Sequence, residues 1–165
     1  MASPKDVVLH QLKTGHFLLE KFTEDLSDEE YFKLPIAGAN HAAWILGHIA
    51  CSEDWVVATT TGVDRRMPQA TQDLFKGGSV SVADPSRYPS RVEIDELFRS
   101  GRTYAIKALE AFDEARWDDP SPGDAPAQFF PTLGSLWGMA GTHQFWHIGH
   151  LTVCRTAMKK KRILT

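Results

Sequence analysis

Apolar residues recur at helical intervals in four stretches of the chain, with polar residues filling the positions between. Val8, Leu9, Leu12, His16, Leu19 and Thr23 make the first stripe and predict a helix at about 4 to 24. Ser3 and Pro4 supply its start, Ser as N-cap and Pro at the first helical position, where a missing N–H costs nothing. Gly15 in mid-helix costs roughly 1 kcal/mol relative to Ala and suggests close packing at that point. Ala43, Trp44, Ile45, His48, Ile49, Ser52, Trp55, Val56 and Thr59 predict a second helix at about 41 to 60, with Asn40 as N-cap. A third, at about 91 to 116, follows from Ile94, Leu97, Phe98, Tyr104, Ala105, Ala108, Leu109 and Phe112, opened by a capping box of Ser90 and Glu93. The fourth, at about 131 to 158, carries Leu133, Leu136, Trp137, Ala140, Gln144, Leu151 and Cys154 on one face and starts at Pro131 and Thr132.

The intervening segments lack such a pattern. Ser27, Asp28, Glu29 and Glu30 can start a short turn before Pro35 and Gly38 break it. From Thr61 to Ser90 the chain carries Gly62, Pro68, Gly77, Gly78, Pro85 and Pro89 and shows no sustained periodicity. A loop of this length is a functional lid, a surface wrap or a disordered piece. Val80 and Val82 could make a short extended segment, but an isolated strand would lack a partner. Asp118, Asp119, Pro120, Pro122, Gly123 and Pro126 form a turn-rich break before the last helix. The expected architecture is therefore all-α, a four-helix bundle with a long loop between helices 2 and 3. There is no internal repeat, and the chain length of 165 residues favours one domain, 1–165.

Charge narrows the partner classes. With 18 Lys plus Arg against 21 Asp plus Glu, the chain is close to balance, which argues against a nucleic-acid binder that works by neutralising phosphates. The cations Arg155, Lys159, Lys160, Lys161 and Arg162 cluster where the fourth helix ends and complement its dipole. Cys51 and Cys154 are too few for a disulfide framework, and the opening residues carry no signal-segment pattern. No apolar run is long enough to span a bilayer. The expectation is a cytoplasmic protein with a small-molecule substrate and neither a membrane nor a nucleic-acid partner. Exposed residues on two of the helices could support a homodimer.

The candidate chemistry lies in histidines. His143 and His147 stand four residues apart within the apolar stripe of the fourth helix, so both rings project from one face, one turn apart, toward the interior. His48 points inward from the second helix, on the face of Trp44, Cys51 and Trp55. Two histidines at that spacing occur on many solvated faces, so the weight comes from the inward stripe and from His48. Catalytic zinc commonly takes three protein ligands and leaves a fourth position to water or substrate. Three imidazoles in an apolar core without a metal would each need partners, at about 1 to 3 kcal/mol for every unsatisfied polar group.

Two motifs carry a family resemblance. Asn40, His41, Ala42, Ala43, Trp44, Ile45, Leu46, Gly47, His48, Ile49 and Ala50 resemble the second-helix signature of the DinB/YfiT-like metalloenzymes, an Asn followed by an apolar run ending in a ligand His. His143 to Leu151, read as HQFWHIGHL, resembles that family's fourth-helix motif of two ligand histidines four apart followed by a Gly-Gln pair. The resemblance implies a four-helix bundle holding a divalent metal, nickel or zinc, through His48, His143 and His147. Some members are transferases or isomerases that use bacillithiol, mycothiol or glutathione, and related domains occur in ergothioneine biosynthesis. One position departs from the motif: where the family has Gln after the glycine, this chain has His150.

The function these residues suggest is a metal-dependent enzyme, and the resemblance implies a thiol S-transferase or isomerase with a low-molecular-weight thiol as co-substrate. One alternative is a hydrolase using metal-bound water; another is a non-catalytic, stress-associated metal-binding bundle. His150, His16, Asn40, Trp44 and Cys51 are candidates for the pocket or for orienting the ligands. Cys51 and Cys154 read first as small buried hydrophobes, and Trp55, Trp137 and Phe145 as core. His10 and His41 read as peripheral, and Glu53 and Asp54 as a solvated helix face, unless one of them orients a ligand or acts as a base.

Overall fold

The computed structural model describes residues 2–36, 38–123 and 125–164. Among these residues six α-helices follow one another: α1 Pro4–Thr23, α2 Asp28–Tyr31, α3 Ala42–Thr61, α4 Gln69–Phe75, α5 Arg91–Ala111 and α6 Leu133–Ala157. The long ones, α1, α3, α5 and α6, form the bundle. Helix α1 lies against α5 and α6, and α3 lies against the same two, which puts α1 and α3 at opposite corners. No described helix is long and apolar enough to cross a membrane.

Capping sets most of the ends. Ser3, Ser27, Ser90 and Thr132 each accept a bond from the backbone N–H three residues on, and the side chain at that position bonds back to the cap, closing four reciprocal boxes. Helix α3 departs from expectation, because its N-cap is His41 and not Asn40: His41 Nδ1 accepts from the Trp44 N–H at 3.0 Å. His41 is accordingly not peripheral. It is fully buried, and its Nε2 donates to the Val82 carbonyl at 3.1 Å. Helix α5 stops at Ala111, short of the expected 116, because the backbone turns extended at Phe112. That turn buries the Phe112 ring, and Asp113 then caps a separate 3-10 turn, Glu114–Arg116.

The long segment after α3 contains more structure than its sequence suggests. It holds α4 and a 3-10 turn at Pro85–Arg87, and it makes no strand at Val80 or Val82. Val80 is 82% exposed. Helix α4 seats Phe75, itself fully buried, directly over Gly47 of α3, where any Cβ would strike the ring. Glu53 and Asp54 are also not solvated, since both are almost fully buried. Asp54 receives Arg65 Nε at 3.2 Å and the Arg66 N–H at 3.0 Å, which ties the chain leaving α3 back onto the helix.

The core has two apolar halves. One gathers Leu19, Phe22, Ile45, Ile49, Phe98 and Leu151; the other gathers Leu12, Val56, Leu109, Leu133, Leu136 and Trp137. Between these sequence positions on α3, α5 and α6 lie Glu53, Arg102 and Gln144, all buried. Arg102 Nη2 stands 2.6 Å from Glu53 Oε1, and Nη1 donates to Gln144 Oε1 at 2.7 Å and to the Leu12 carbonyl at 2.6 Å. Gln144 Nε2 in turn donates to the Gln11 carbonyl at 2.8 Å. Gly15 is the point of closest approach to this layer, where a Cβ would collide with the Gln144 amide. A buried charge needs a partner, and this layer supplies Arg102 with one carboxylate and two oxygens from three different helices.

Candidate metal centre

Gln144 is clamped to α1 by its amide, which holds that turn of α6 in place next to His143. His143 and His147 then face α3, where His48 meets them. His143 Nε2 lies 3.0 Å from His147 Nε2 and 3.3 Å from His48 Nε2. One ligand atom from each of the three residues falls within 4.8 Å of the others. Nitrogens bound tetrahedrally at about 2.0–2.1 Å stand about 3.3–3.4 Å apart, so the spacing suits a zinc-like ion.

The protonation states are set by the surroundings. His48 Nδ1 donates to the Phe75 carbonyl at 2.7 Å, which leaves a lone pair on Nε2. The carbonyl comes from the last residue of α4, and the short helix therefore chooses the tautomer of His48. Trp44 stacks on the His48 ring, with centroids 4.5 Å apart and planes at 12°. Its own indole N–H donates to Ser79 Oγ at 2.9 Å, so the segment after α4 also fixes the stacking partner. Burial lowers the pKa of His48, takes that of His143 down to about 4 and that of His147 down to about 2, with the neighbouring imidazoles adding to the last two. All three rings are neutral near pH 7.

Neutrality creates a deficit of hydrogens. His143 Nε2 faces two nitrogens and can offer at most one hydrogen, while His48 Nε2 has none to give. At most one of the two N···N contacts then has a hydrogen of its own. His147 Nδ1 is also buried without a partner. A divalent cation among the three Nε2 atoms removes the conflict, and the donor set of neutral imidazoles is one that zinc, nickel and related ions accept.

The cluster opens onto two chambers that share His48, Ser52, Trp55 and Gly77 on their walls. The smaller, about 280 Å³, is polar and lies against α4, with Cys51, Arg65, Gln69, Gln72, Asp73 and Lys76. The larger, about 720 Å³, reaches His143 and is walled mainly by Trp55, Phe129, Phe130, Met139 and Trp146. Its volume lies within the roughly 300–1,000 Å³ range of small-molecule sites.

The model of the DinB superfamily matches residues 11–151. The chain belongs to the DinB superfamily. A solved structure, that of a conserved protein from Enterococcus faecalis, is similar with a TM-score of 0.73, covering 97% of this chain and 100% of its own at 12% identity. At that identity the likeness concerns the fold. No curated protein matches the sequence.

The other sequence candidates of this DinB-superfamily chain divide. Trp44 and Cys51 are at the site, Trp44 as the stacking partner and Cys51 on the wall of the polar chamber. Burial pushes the Cys51 thiol up to about 11, and its Sγ lies against Met67 Sδ and the Thr71 carbonyl, so it remains a thiol. His150 is exposed, edge-on to His147 with centroids 5.5 Å apart, and outside the converging trio. His16 stacks on Phe98 and pairs with Glu20 at 3.5 Å, and Asn40 offers its carbonyl to Cys154 Sγ at 3.5 Å. Neither lines a chamber. Missed by sequence reasoning were the Phe75 carbonyl and the aromatic pair Phe129 and Phe130. The pair of glycines after Phe75 is a helix-stop signal that points to the first; an apolar pair inside a turn-rich break points to the second.

Proposed function

We propose that this chain holds a divalent metal ion, zinc or nickel, through Nε2 of His48, His143 and His147 and catalyses a metal-dependent transfer of a low-molecular-weight thiol to a small electrophile. The observation that carries the reading is the convergence of three neutral imidazoles, with a hydrogen for only one of their two N···N contacts, beside a chamber of small-molecule size. Among the described residues no fourth His, Cys or carboxylate joins the three, which supports an open coordination position over a closed structural clip. The ion would supply Lewis acidity at that position, lowering the pKa of a bound thiol or water. The chain does the rest: Phe75 and Trp44 hold His48, Gln144 holds the turn that bears His143, and the aromatic wall lines the approach. The choice of a thiol as nucleophile rests on the family resemblance.

Untagged protein should contain one metal per chain by elemental analysis, and His143→Ala and His147→Ala should lose it. Metal-loaded protein incubated with bacillithiol, mycothiol or glutathione and a generic electrophile such as 1-chloro-2,4-dinitrobenzene should accelerate conjugation, with the acceleration lost in His48→Ala. Metal binding without acceleration by any thiol would overturn the transferase reading, and hydrolysis of an activated ester by the same preparation would replace it with the hydrolase.

A further inference from the structure

The two chambers differ in what they can attract. In the polar one the charges are already matched: Lys76 Nζ sits 3.1 Å from Asp73 Oδ1, and Arg65 is held by Asp54 and the Cys51 carbonyl. In the apolar one, none of the lining residues is an Asp, Glu, Lys or Arg. Resting on the metal reading above, a 2+ ion held by three neutral imidazoles keeps its full charge at the edge of an apolar cavity, where an uncompensated charge is costly. No lining residue supplies the compensating anion, so an occupant that carries one gains at this site.

The walls define the rest of that occupant. Phe129 and Trp146 stand 69% and 77% exposed at the chamber, so two large aromatic faces meet water there. Trp55, Phe130 and Met139 continue the apolar surface inward, and aromatic faces gain both area burial and stacking from a flat apolar partner. We propose that the larger chamber binds an aromatic small molecule bearing a single anionic donor, its ring between Phe129 and Trp146 and its donor directed at the ion between His48 and His143. The anion is selected by the unbalanced charge and the ring by the aromatic wall, so each should fail separately.

The test is calorimetric titration of zinc-loaded and metal-free protein with 2-naphthylacetate, acetate and 2-naphthylacetamide at pH 7.5. The first has ring and anion, the second lacks the ring and the third lacks the charge. On zinc-loaded protein 2-naphthylacetate should bind at least about tenfold more tightly than either control. The metal-free protein should lose that advantage over the amide. Phe129→Ser/Trp146→Ser, which alters two exposed positions, should bring 2-naphthylacetate down toward acetate while zinc content stays at one per chain. Protein that holds zinc yet binds 2-naphthylacetate no better than acetate, or equally well with and without zinc, would overturn the proposal. Elemental analysis separates that result from failure of the metal reading, in which no zinc is taken up and both ideas fall.

Discussion

Two polar clusters lie inside this bundle one residue apart on α6, and they are built on opposite principles. At Gln144 the Glu53–Arg102 layer sets a carboxylate against a guanidinium, with Gln144 and the Leu12 carbonyl taking further guanidinium hydrogens. As a unit it sets opposite charges against each other, though Glu53 Oε2 and Arg102 Nε stay buried without a hydrogen-bond partner. At His143 three neutral imidazoles converge with a hydrogen for only one of their two N···N contacts. The difference teaches how to read buried polarity: opposite charges set against each other support the fold, whereas like acceptors facing each other point to a cation that could separate them.

The largest effect should come from opening the closed cluster. Arg102→Met leaves Glu53 buried without its counter-charge and should cost about 3–5 kcal/mol in denaturant unfolding. A cost below about 1 kcal/mol would show that the buried ion pair does not support the fold. The complementary operation closes the open cluster: zinc at a hundredfold excess over its dissociation constant should stabilise the protein by about 2.7 kcal/mol, and His143→Ala should abolish the gain. Equal stabilisation of that variant would place the zinc elsewhere.

A smaller effect should join the two regions. Gly15→Ala pushes a methyl group into the Gln144 amide and should cost about 1–3 kcal/mol by overpacking. Because Gln144 adjoins His143, zinc affinity should fall as well; unchanged affinity would mean that the clamp does not position the ligand turn.

Acidity should separate the clusters most finely. The pKa values of His143 and His147, about 4 and about 2 in the folded protein, lie below the ordinary imidazole value near 6.5. The metal-free unfolded chain then binds more protons than the folded one, so stability is full above pH 6.5 and is lost as pH falls toward 4. His41, held near 4 by burial at the start of α3, adds to the same loss. Burial raises Glu53 to about 7 against the pull of Arg102, and its contribution has the opposite sign, present below about 4.5 and lost as pH rises toward 7. Between pH 4.5 and 6.5, His41→Asn should flatten the acid loss and Glu53→Gln should steepen it, each by up to about 1.4 kcal/mol per pH unit. Shifts of the same sign from both would break the distinction.

Much of this was legible in the residues. The stripes of α1 and α6 were visible because one face of each is apolar and the other wet, and three of the four long helices begin at Ser or Thr caps that need only local chemistry. His143 and His147 were visible because i and i+4 are neighbours on any helix. The cap at His41 was misread because Asn40 is the more usual residue type, and only the fold shows an imidazole turned back onto the Trp44 N–H. Glu53 and Asp54 were misread because a charged pair on a helix is ordinarily wet, and nothing local announces an Arg102 some fifty residues away or an Arg65 folded back over the helix end. Helix α4 was missed because it has seven residues, too few for a periodic signal.

The sequence alone determined the all-helical class, the four long helices and the pair of histidines one turn apart, since each depends on contacts within a few residues. The tertiary structure decided that His48 meets that pair, that the Phe75 carbonyl sets its tautomer, and that Glu53 lies dry against Arg102. It also decided that an uncharged aromatic chamber opens beside the three rings. Those properties arise from groups 27 or more residues apart in the chain, and for such pairs only packing determines which side chains share a space.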